Sequence, residues 1–455
     1  MLMPKDFAAP QVRLTGRIFE DECMPLFSRA VLLSLVVLPL RVLSAQTFTC
    51  ASGGGHLAQL LNATSVAKAE TAGFDFGMLP DHFDAKGCSG AKAFLLSVPA
   101  KDGNYRVTVT LGGSTDAVTT VRSEARRLML ARVATKAGKT SSARFIVNVR
   151  TPEIAGQTKA DGSAMVVKRK PRELNSLDWD NKITLEFAGE RPSLVSVRVE
   201  PVDVPTVYLA GDSTVVDQDN EPWAAWGQML PAFFGDRVAI SNQAESGETI
   251  RSFDGELRFA KIFSTIKKGD YLFFQFAHND QKPGGGYVSP EMYTGLLAKY
   301  IAKAREMGAT PVLVTSMNRR TFDAGGRITD TLAPYPELMR KIAAEQKVAL
   351  IDLNAMSKML YEAIGEPNSR SLFVYAAPNT YPKQPDALHD DTHFNGYGAY
   401  ELARCVVQGI VDDRLPLASL LREPHPHFDP QHPDAASAVA LPSASFYDLE
   451  KPYER

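Results

Sequence analysis

The chain has 455 residues, of which 44% are hydrophobic, and this length and composition allow two packed cores. Its formal net charge of −2 provides no basic field for nucleic-acid binding. The sequence contains no Walker loop and no regular Cys/His zinc spacing, so we predict neither a cofactor nor a metal.

The amino-terminal end has the pattern of an export signal. Arg29 precedes an apolar run at residues 30–40, and a small-residue cleavage site ends at Ala45. The run is shorter than the about 20 apolar residues that a membrane-spanning helix needs, which argues against the alternative of an anchor. We therefore expect residues 1–45 to be an export signal with an upstream extension before Met24. The mature protein is then expected to be periplasmic or secreted, with no membrane attachment after cleavage.

Four cysteines occur, and signal cleavage would remove Cys23. In an exported protein Cys50 and Cys88 are candidates for a disulfide, and two unpaired thiols are the alternative. Cys405 lies within a helical pattern and is predicted to be a small buried apolar residue.

Residues 46–200 are predicted to form a β-sandwich. Short segments alternate apolar with polar residues, as half-exposed antiparallel strands do, and turn-forming residues separate them. Repeated short strands without long helical patterns are typical of a sandwich. The predicted strands cover residues 74–77, 93–98, 103–111, 117–123, 127–134, 142–149, 182–187 and 194–199.

A linker with two prolines at residues 201–205 precedes an alternation of strands and helices at residues 206–415. This alternation predicts an α/β fold, a flavodoxin-like, doubly wound parallel sheet of five strands. The predicted strands cover residues 206–210, 238–241, 271–276, 311–316 and 348–353. The predicted helices cover residues 223–234, 289–307, 335–346, 356–365 and 397–412, with Ser289 and Asn395 as caps.

Residues 416–455 are rich in Pro, His and Ala. Metal binding by His425, His427 and His432 is one interpretation, but no regular ligand framework accompanies them. We therefore expect a solvated carboxyl-terminal tail.

Polar residues suited to acyl transfer follow three of the predicted parallel strands. Ser213 follows the first strand, Gly247 the second and Asn279 the third, while Asp390 and His393 precede the last helix. Because the carboxyl ends of parallel strands face one crevice, we expect these residues to meet there. Each one alone is a weak signal, since Gly, Asn and Asp are common in turns and a single His before a helix is often a surface residue. The combination in this order favours a site.

Their chemistry fits that of a serine hydrolase. A serine hydroxyl needs a base to become a nucleophile, and His393 can accept the proton of Ser213. Asp390, three residues earlier, can bond the other ring nitrogen and fix the tautomer. The backbone N–H groups of Ser213 and Gly247 and the side-chain amide of Asn279 can form an oxyanion hole.

Residues 206–413 resemble the GDSL-type serine esterases, also called SGNH hydrolases, whose four named positions match Ser213, Gly247, Asn279 and His393. Ala277 stands where the rhamnogalacturonan acetylesterase branch of that family often has Gly. The resemblance implies an SGNH hydrolase fold behind a galactose-binding-like β-sandwich, and removal of acetyl groups from pectic rhamnogalacturonan, an acidic plant cell-wall polysaccharide. The segments most similar to that branch are residues 210–214, 226–228, 276–280, 319–320 and 390–395.

Three further residues are candidates for substrate binding. Arg319 and Arg320 follow the fourth strand, and arginine pairs well with carboxylates such as those of galacturonate. A solvated arginine pair in a loop is the alternative. His278 either lines the crevice or stabilises the turn before Asn279.

Two other functions stay open at this point. One is the same chemistry on another ester, such as acetylated xylan or a lipid, although a lipase needs an apolar trench and these loops are polar. The other is a catalytically inactive polysaccharide-binding protein. The complete set of catalytic residue types argues against a pure binder, which has no need of an Asp-x-x-His arrangement.

Overall fold

The computed structural model describes residues 45–52, 58–381 and 384–446. The predicted export signal lies outside these residues, apart from Ala45 at its end. Within the described ranges, every helix is too short or too polar to cross a bilayer.

Two five-stranded sheets form the β-rich part. Along Gly103–Gly112 buried and partly exposed side chains alternate, as the sequence pattern predicts. The first sheet has the order Thr140–Val149, Gly103–Gly112, Ser196–Pro201, Gln46–Thr49 and Gln59–Leu60. The second has the order Gly73–Phe74, Phe94–Pro99, Lys182–Glu190, Ala117–Ser123 and Arg127–Thr135. The remaining elements are the strands His82–Asp84, Gly87–Ser89, Ser193–Leu194, Glu153–Thr158 and Ala164–Val166 and the 3₁₀ helices Pro171–Asn175 and Leu177–Trp179.

Both sheets contribute apolar side chains to one buried core, which is the packing of a sandwich. Val107 and Phe145 enter it from the first sheet, and Phe94 and Phe187 enter it from the second, where their rings stack 5.1 Å apart. A disulfide joins Cys50 to Cys88, so these residues adopt the paired alternative.

The α/β part contains five parallel strands, as predicted. They are β1 (Thr206–Gly211), β2 (Ala239–Asn242), β3 (Tyr271–Gln275), β4 (Thr310–Val314) and β5 (Ala349–Ile351). Their order in the sheet is β2-β1-β3-β4-β5. Because β1 pairs with β2 on one side and β3 on the other, the turns that follow these three strands are neighbours at one edge of the sheet.

Helices cover both faces of this sheet. Val207 and Leu209 of β1 point into one apolar cluster, and Tyr208 and Ala210 point into another, so alternate side chains of the same strand are buried on opposite faces. The helices are α1 (Trp226–Met229), α2 (Ile250–Gly255), α3 (Arg258–Phe263), α4 (Pro290–Glu306), α5 (Tyr335–Gln346), α6 (Leu353–Ile364) and α7 (Gly396–Asp412). The 3₁₀ helices of this region are Leu230–Phe233, Asn368–Leu372 and Pro416–Leu420.

One predicted helix differs in type from the structure, and two short helices were not predicted. The helix predicted at residues 223–234 is the single turn α1 followed by a 3₁₀ turn with Pro231 near its start, because proline lacks the N–H that a continuing α-helix needs. Helices α2 and α3 were not predicted, since each has only six residues and shows too little periodicity. Ser289 and Asn395 cap α4 and α7 as predicted, and Cys405 is buried and unpaired within α7.

The prediction of a solvated tail is wrong for residues 416–446. Leu417 and Phe428 are buried in the core of the α/β part. The backbone N–H of Ser445 donates to Glu186 of the β-rich part at 2.8 Å. Buried apolar side chains and this hydrogen bond therefore hold residues 416–446 against the rest of the protein, although their composition suggested a solvated segment. Across the described ranges, no cluster of three or more His, Cys, Asp or Glu side chains could hold a metal ion.

Candidate active site

The turn after β1 presents Ser213 at the edge of the sheet. Gly211 ends the strand where a Cβ atom would approach a neighbouring side chain to 2.6 Å, so a larger residue would force the turn to shift. Asp212 Oδ1 accepts hydrogen bonds from the backbone N–H of Thr214 at 2.9 Å and from its hydroxyl at 2.7 Å. Gln218 donates to the Ser213 carbonyl at 2.9 Å. The Gly-Asp-Ser-Thr sequence therefore folds into a turn that fixes Ser213.

Ser213, His393 and Asp390 lie in one hydrogen-bonded line. Ser213 Oγ and His393 Nε2 are 2.9 Å apart, and His393 Nδ1 and Asp390 Oδ2 are also 2.9 Å apart. All three side chains are buried. The structure thus brings together three residues that the sequence predicts to meet, and their catalytic roles stay a prediction.

A hairpin carries Asp390 and His393. They lie on the strand Leu388–Phe394, which pairs antiparallel with Phe373–Ala376, whereas the sequence analysis placed them only before the last helix. The polar run from His389 to His393 hides this strand, because strands are usually recognised by alternating apolar residues. The hairpin returns the imidazole towards the turn after β1.

Asp390 is held as an anion beside the imidazole. Its Oδ1 accepts the backbone N–H groups of Thr392 at 2.8 Å and His393 at 3.0 Å. Burial acts to raise the pKa of Asp390, but the hydrogen bond and charge interaction with His393 and these two N–H donors outweigh burial, so the pKa lies below its ordinary value. An ionised Asp390 can fix the ring orientation and stabilise a protonated imidazole.

The three predicted oxyanion donors lie on the adjacent turns after β1, β2 and β3. Within the described part of the chain, the N–H groups of Ser213 and Gly247 have no hydrogen-bond acceptor. Gly247 has a φ of 76°, a left-handed conformation that favours glycine. Asn279 Nδ2 donates one hydrogen to Glu248 O at 3.0 Å, which leaves its second amide hydrogen for another acceptor. These groups can therefore receive a developing negative charge.

His278 is buried next to this site. Its Nδ1 lies 3.6 Å from Asp212 Oδ2, longer than a hydrogen bond, and among the described residues neither ring nitrogen has a hydrogen-bond partner. Burial lowers the pKa of His278 and outweighs the opposing effect of the Asp212 carboxylate, which favours the neutral form of the ring. Its position is compatible with both predicted roles, which are lining the crevice and stabilising the turn before Asn279.

The two predicted arginines have different surroundings. Arg320 is buried and forms ion pairs with Glu366 and, at 2.9 Å, with Asp391 of the hairpin. Arg319 is partly exposed and donates to the carbonyl of His278 at 3.0 Å. Arg320 therefore supports the strand that carries Asp390, while Arg319 is the one of the pair that a ligand in the crevice could reach.

Two lysines beside the oxyanion donors were not predicted. Lys282 Nζ donates to Asn279 Oδ1 at 3.2 Å. The spacing of three residues between Lys282 and Asn279 was the sequence feature that could have indicated this contact. Lys170 Nζ donates to the carbonyl of Ser246 at 2.6 Å across 76 positions of the chain. No local pattern indicates a contact between a loop of the β-rich part and the turn after β2.

A buried Ser-His-Asp line at the carboxyl edge of a parallel sheet defines a serine hydrolase. The sequence profile of the GDSL-like Lipase/Acylhydrolase family matches residues 209–399. The rhamnogalacturonan acetylesterase RhgT of Bacillus subtilis (strain 168) is 46% identical over 214 residues, which are 46% of this chain and 91% of that protein. The chain therefore belongs to the GDSL-like lipase/acylhydrolase family and is a serine hydrolase that acts on ester bonds.

Two further proteins are similar to this chain. The probable rhamnogalacturonan acetylesterase YesY of Bacillus subtilis (strain 168) is 35% identical over 223 residues, covering 48% of this chain and 98% of that protein. The crystal structure of protein YXIM from Bacillus subtilis aligns with 82% of this chain and 99% of its own chain, at 22% identity and a TM-score of 0.44.

Proposed function

We propose that this protein is a carbohydrate O-acetylesterase that removes acetyl groups from rhamnogalacturonan. The observation that carries the proposal is the contact between Ser213 Oγ and His393 Nε2 at 2.9 Å, with Asp390 on the other ring nitrogen. The substrate class is supported by the similarity to the rhamnogalacturonan acetylesterase RhgT and the probable rhamnogalacturonan acetylesterase YesY, whose sequences this chain covers almost completely.

In the proposed reaction, Ser213 Oγ attacks the acetyl carbonyl while His393 Nε2 takes the hydroxyl proton. The carbonyl oxygen becomes an oxyanion that the N–H groups of Ser213 and Gly247 and the amide of Asn279 stabilise. His393 then gives its proton to the sugar oxygen as the oxyanion re-forms the carbonyl and the ester C–O bond breaks, which releases the sugar with a free hydroxyl and leaves an acetyl-serine.

Water completes the proposed cycle by the same route. His393 takes a proton from water, the resulting hydroxide adds to the acetyl carbonyl, and the oxyanion forms again at the same donors. When the intermediate collapses, the Ser213 oxygen leaves and recovers the proton from His393. The products are acetate and the deacetylated sugar, and Asp390 stays ionised throughout.

The partner in this proposal is an acetylated acidic polysaccharide or oligosaccharide of the plant cell wall. Arg319 is the better placed of the two predicted arginines to meet a galacturonate carboxylate, since Arg320 is buried against Asp391 and Glu366. Residues 1–45 would direct the enzyme to the periplasm or the exterior, where such polymers occur.

The test is acetate release from acetylated rhamnogalacturonan, with acetylated xylan as the alternative substrate and Ser213→Ala as the inactive control. We expect release from rhamnogalacturonan to exceed release from xylan, and Ser213→Ala to release no acetate while keeping its circular dichroism spectrum. Preference for xylan would contradict the substrate class. Binding of either polymer without acetate release would support the non-catalytic alternative, and retained turnover in Ser213→Ala would contradict the mechanism.

A further inference from the structure

Each of the three oxyanion donors belongs to an amide unit whose oxygen is also hydrogen-bonded. The Ser213 N–H shares its peptide group with the carbonyl of Asp212, which accepts the backbone N–H groups of Val215 at 3.0 Å and Val216 at 3.1 Å. The other two units differ from this one, because a lysine ammonium group contacts the oxygen of each.

Lys170 contacts the peptide group that precedes Gly247. Its Nζ donates at 2.6 Å to the carbonyl of Ser246, and this carbonyl and the Gly247 N–H belong to the same planar unit. In a trans peptide the C=O and N–H bonds point in opposite directions, so the ammonium group lies behind the donor and does not compete with a substrate. The Lys170 side chain is 14% exposed, and it also pairs with the buried carboxylate of Glu248.

Lys282 makes the equivalent contact with the side-chain amide of Asn279. Its Nζ donates to Asn279 Oδ1 at 3.2 Å, while Asn279 Nδ2 donates one hydrogen to Glu248 O at 3.0 Å. The oxygen and the nitrogen of the amide are therefore both hydrogen-bonded, so the second hydrogen on Nδ2 keeps a fixed direction. The group that contacts the amide oxygen is the charged ammonium of Lys282.

We propose that Lys170 and Lys282 are positioning residues that strengthen two of the three oxyanion donors. A hydrogen bond to an amide oxygen draws electron density from the nitrogen, so the N–H becomes a better donor, and this cooperative effect is larger when the group on the oxygen is charged. The benefit is greatest when the carbonyl oxygen of the substrate becomes an anion, so it lowers the barrier more than it improves substrate binding. The inference rests on the proposed esterase function.

Glu248 provides a competing explanation for Lys170. The Glu248 side chain is buried, and removal of Lys170 would leave its carboxylate with less compensation, which could distort the turn after β2. Lys170→Met combined with Glu248→Gln separates the two explanations, because the amide keeps an acceptor for the Ser252 hydroxyl and removes the buried charge.

The experiment measures kcat and KM for p-nitrophenyl acetate in the full chain. For Lys170→Met and for Lys282→Met we expect kcat and kcat/KM to fall together by about 10-fold, less than the 10²–10³-fold typical of losing a donor outright. KM should stay unchanged, and Lys170→Arg should recover most of the rate. Lys168→Met is the matched control, since Lys168 lies in the same segment but donates to Gly255 O at 2.9 Å, away from the donors.

Three results would overturn the inference alone, provided that the wild type is active and Ser213→Ala is not. The first is an unchanged kcat in both lysine variants. The second is a rise in KM at constant kcat, which would indicate substrate binding. The third is recovery of the rate in the double variant with Glu248→Gln, which would assign the loss to the unpaired carboxylate. A wild type without ester hydrolysis would instead overturn the proposed function and this inference with it.

Discussion

Buried polar groups have different surroundings where the β-rich part meets the α/β part and at the carboxyl edge of the parallel sheet. At the contact between the two parts, Arg127 donates to Asp178 at 2.5 Å, to Asp217 at 2.5 Å and to the carbonyl of Asn148 at 2.8 Å. Each of its three guanidinium nitrogens donates to a protein group. At the sheet edge, within the described residues, the N–H groups of Ser213 and Gly247 have no acceptor.

Buried polar groups therefore have a structural role at the contact between the two parts and a chemical role at the edge of the sheet. A buried charge is tolerated when several partners compensate it, and Arg127 meets that condition by joining the two parts of one compact unit. Donors without acceptors inside a protein are costly, so they persist where a ligand or a transition state completes them. Substitutions at the site should therefore lower the reaction rate, whereas substitutions at the contact between the two parts should lower the stability.

The largest effect is expected at the site, for Asp390→Asn. The amide cannot hold the imidazole in the same tautomer, so we expect kcat to fall about 10⁴-fold while the unfolding transition stays cooperative. The measurement is the initial rate of acetate release, with thermal unfolding followed in parallel.

Asp429→Asn is the matched control, since Asp429 Oδ2 lies 2.7 Å from His432 Nδ1 in the same Asp-x-x-His spacing but at the surface. Its activity should equal that of the wild type. Equal rates for Asp390→Asn and the wild type would remove Asp390 from the mechanism.

The second effect is expected where the two parts meet, for Arg127→Met. The change leaves Asp178 and Asp217 buried with one compensating charge fewer, and breaking such a buried pair costs about 3–5 kcal/mol of unfolding free energy. Urea unfolding of purified variants measures it, and the rate per folded molecule should change far less than the stability.

Lys136→Met is the comparison for this variant, because its ion pair with Asp116 is fully exposed and its loss should leave the urea midpoint unchanged. If Arg127→Met unfolds at the wild-type urea concentration, the ion pairs of Arg127 contribute nothing to stability. If Arg127→Met stays folded but loses most of its activity, the claim that this contact affects stability and not the reaction rate is wrong.

Sequence reasoning succeeds where local signals determine the structure. The five parallel strands lie within three residues of their predicted bounds, because short apolar runs between turn residues specify them. The bounds of α5 (Tyr335–Gln346) and the caps Ser289 and Asn395 follow from equally local patterns. Ser213 could be predicted because the fold brings the ends of parallel strands to one edge, whereas Asp390 and His393 were predicted from their spacing ahead of the last helix, without the hairpin that carries them.

Sequence reasoning fails where distant segments supply the partner. The contact of Lys170 with Ser246 and that of Arg127 with Asp217 join residues 76 and 90 positions apart, and neither leaves a local pattern. Residues 416–446 look solvated by composition, yet Leu417 and Phe428 fill an apolar core that only the folded chain creates. Long-range packing therefore decides what composition and periodicity cannot.

The last prediction concerns Asp280, a buried acid with one hydrogen-bonded oxygen and one oxygen without a partner in the described residues. Asp280 follows Asn279, its Oδ1 accepts the N–H of Ile250 at 2.9 Å, and its Oδ2 has no partner in the described part of the chain. Burial raises the pKa of Asp280 to about 8, whereas an unfolded Asp titrates near about 3.9. Between these values the folded protein holds a proton that the unfolded chain has lost.

Asp280 therefore makes stability fall as the pH rises from about 4 to about 8, since the folded state binds more protons over this window. Asp280→Asn keeps the acceptor for Ile250 and has no proton to lose, so the decrease in unfolding free energy between pH 5 and pH 8 should be smaller in the variant. Urea unfolding at the two pH values measures both differences. Equal decreases in the two proteins would mean that Asp280 is ionised in the fold, and its unpartnered oxygen would then need a cation nearby.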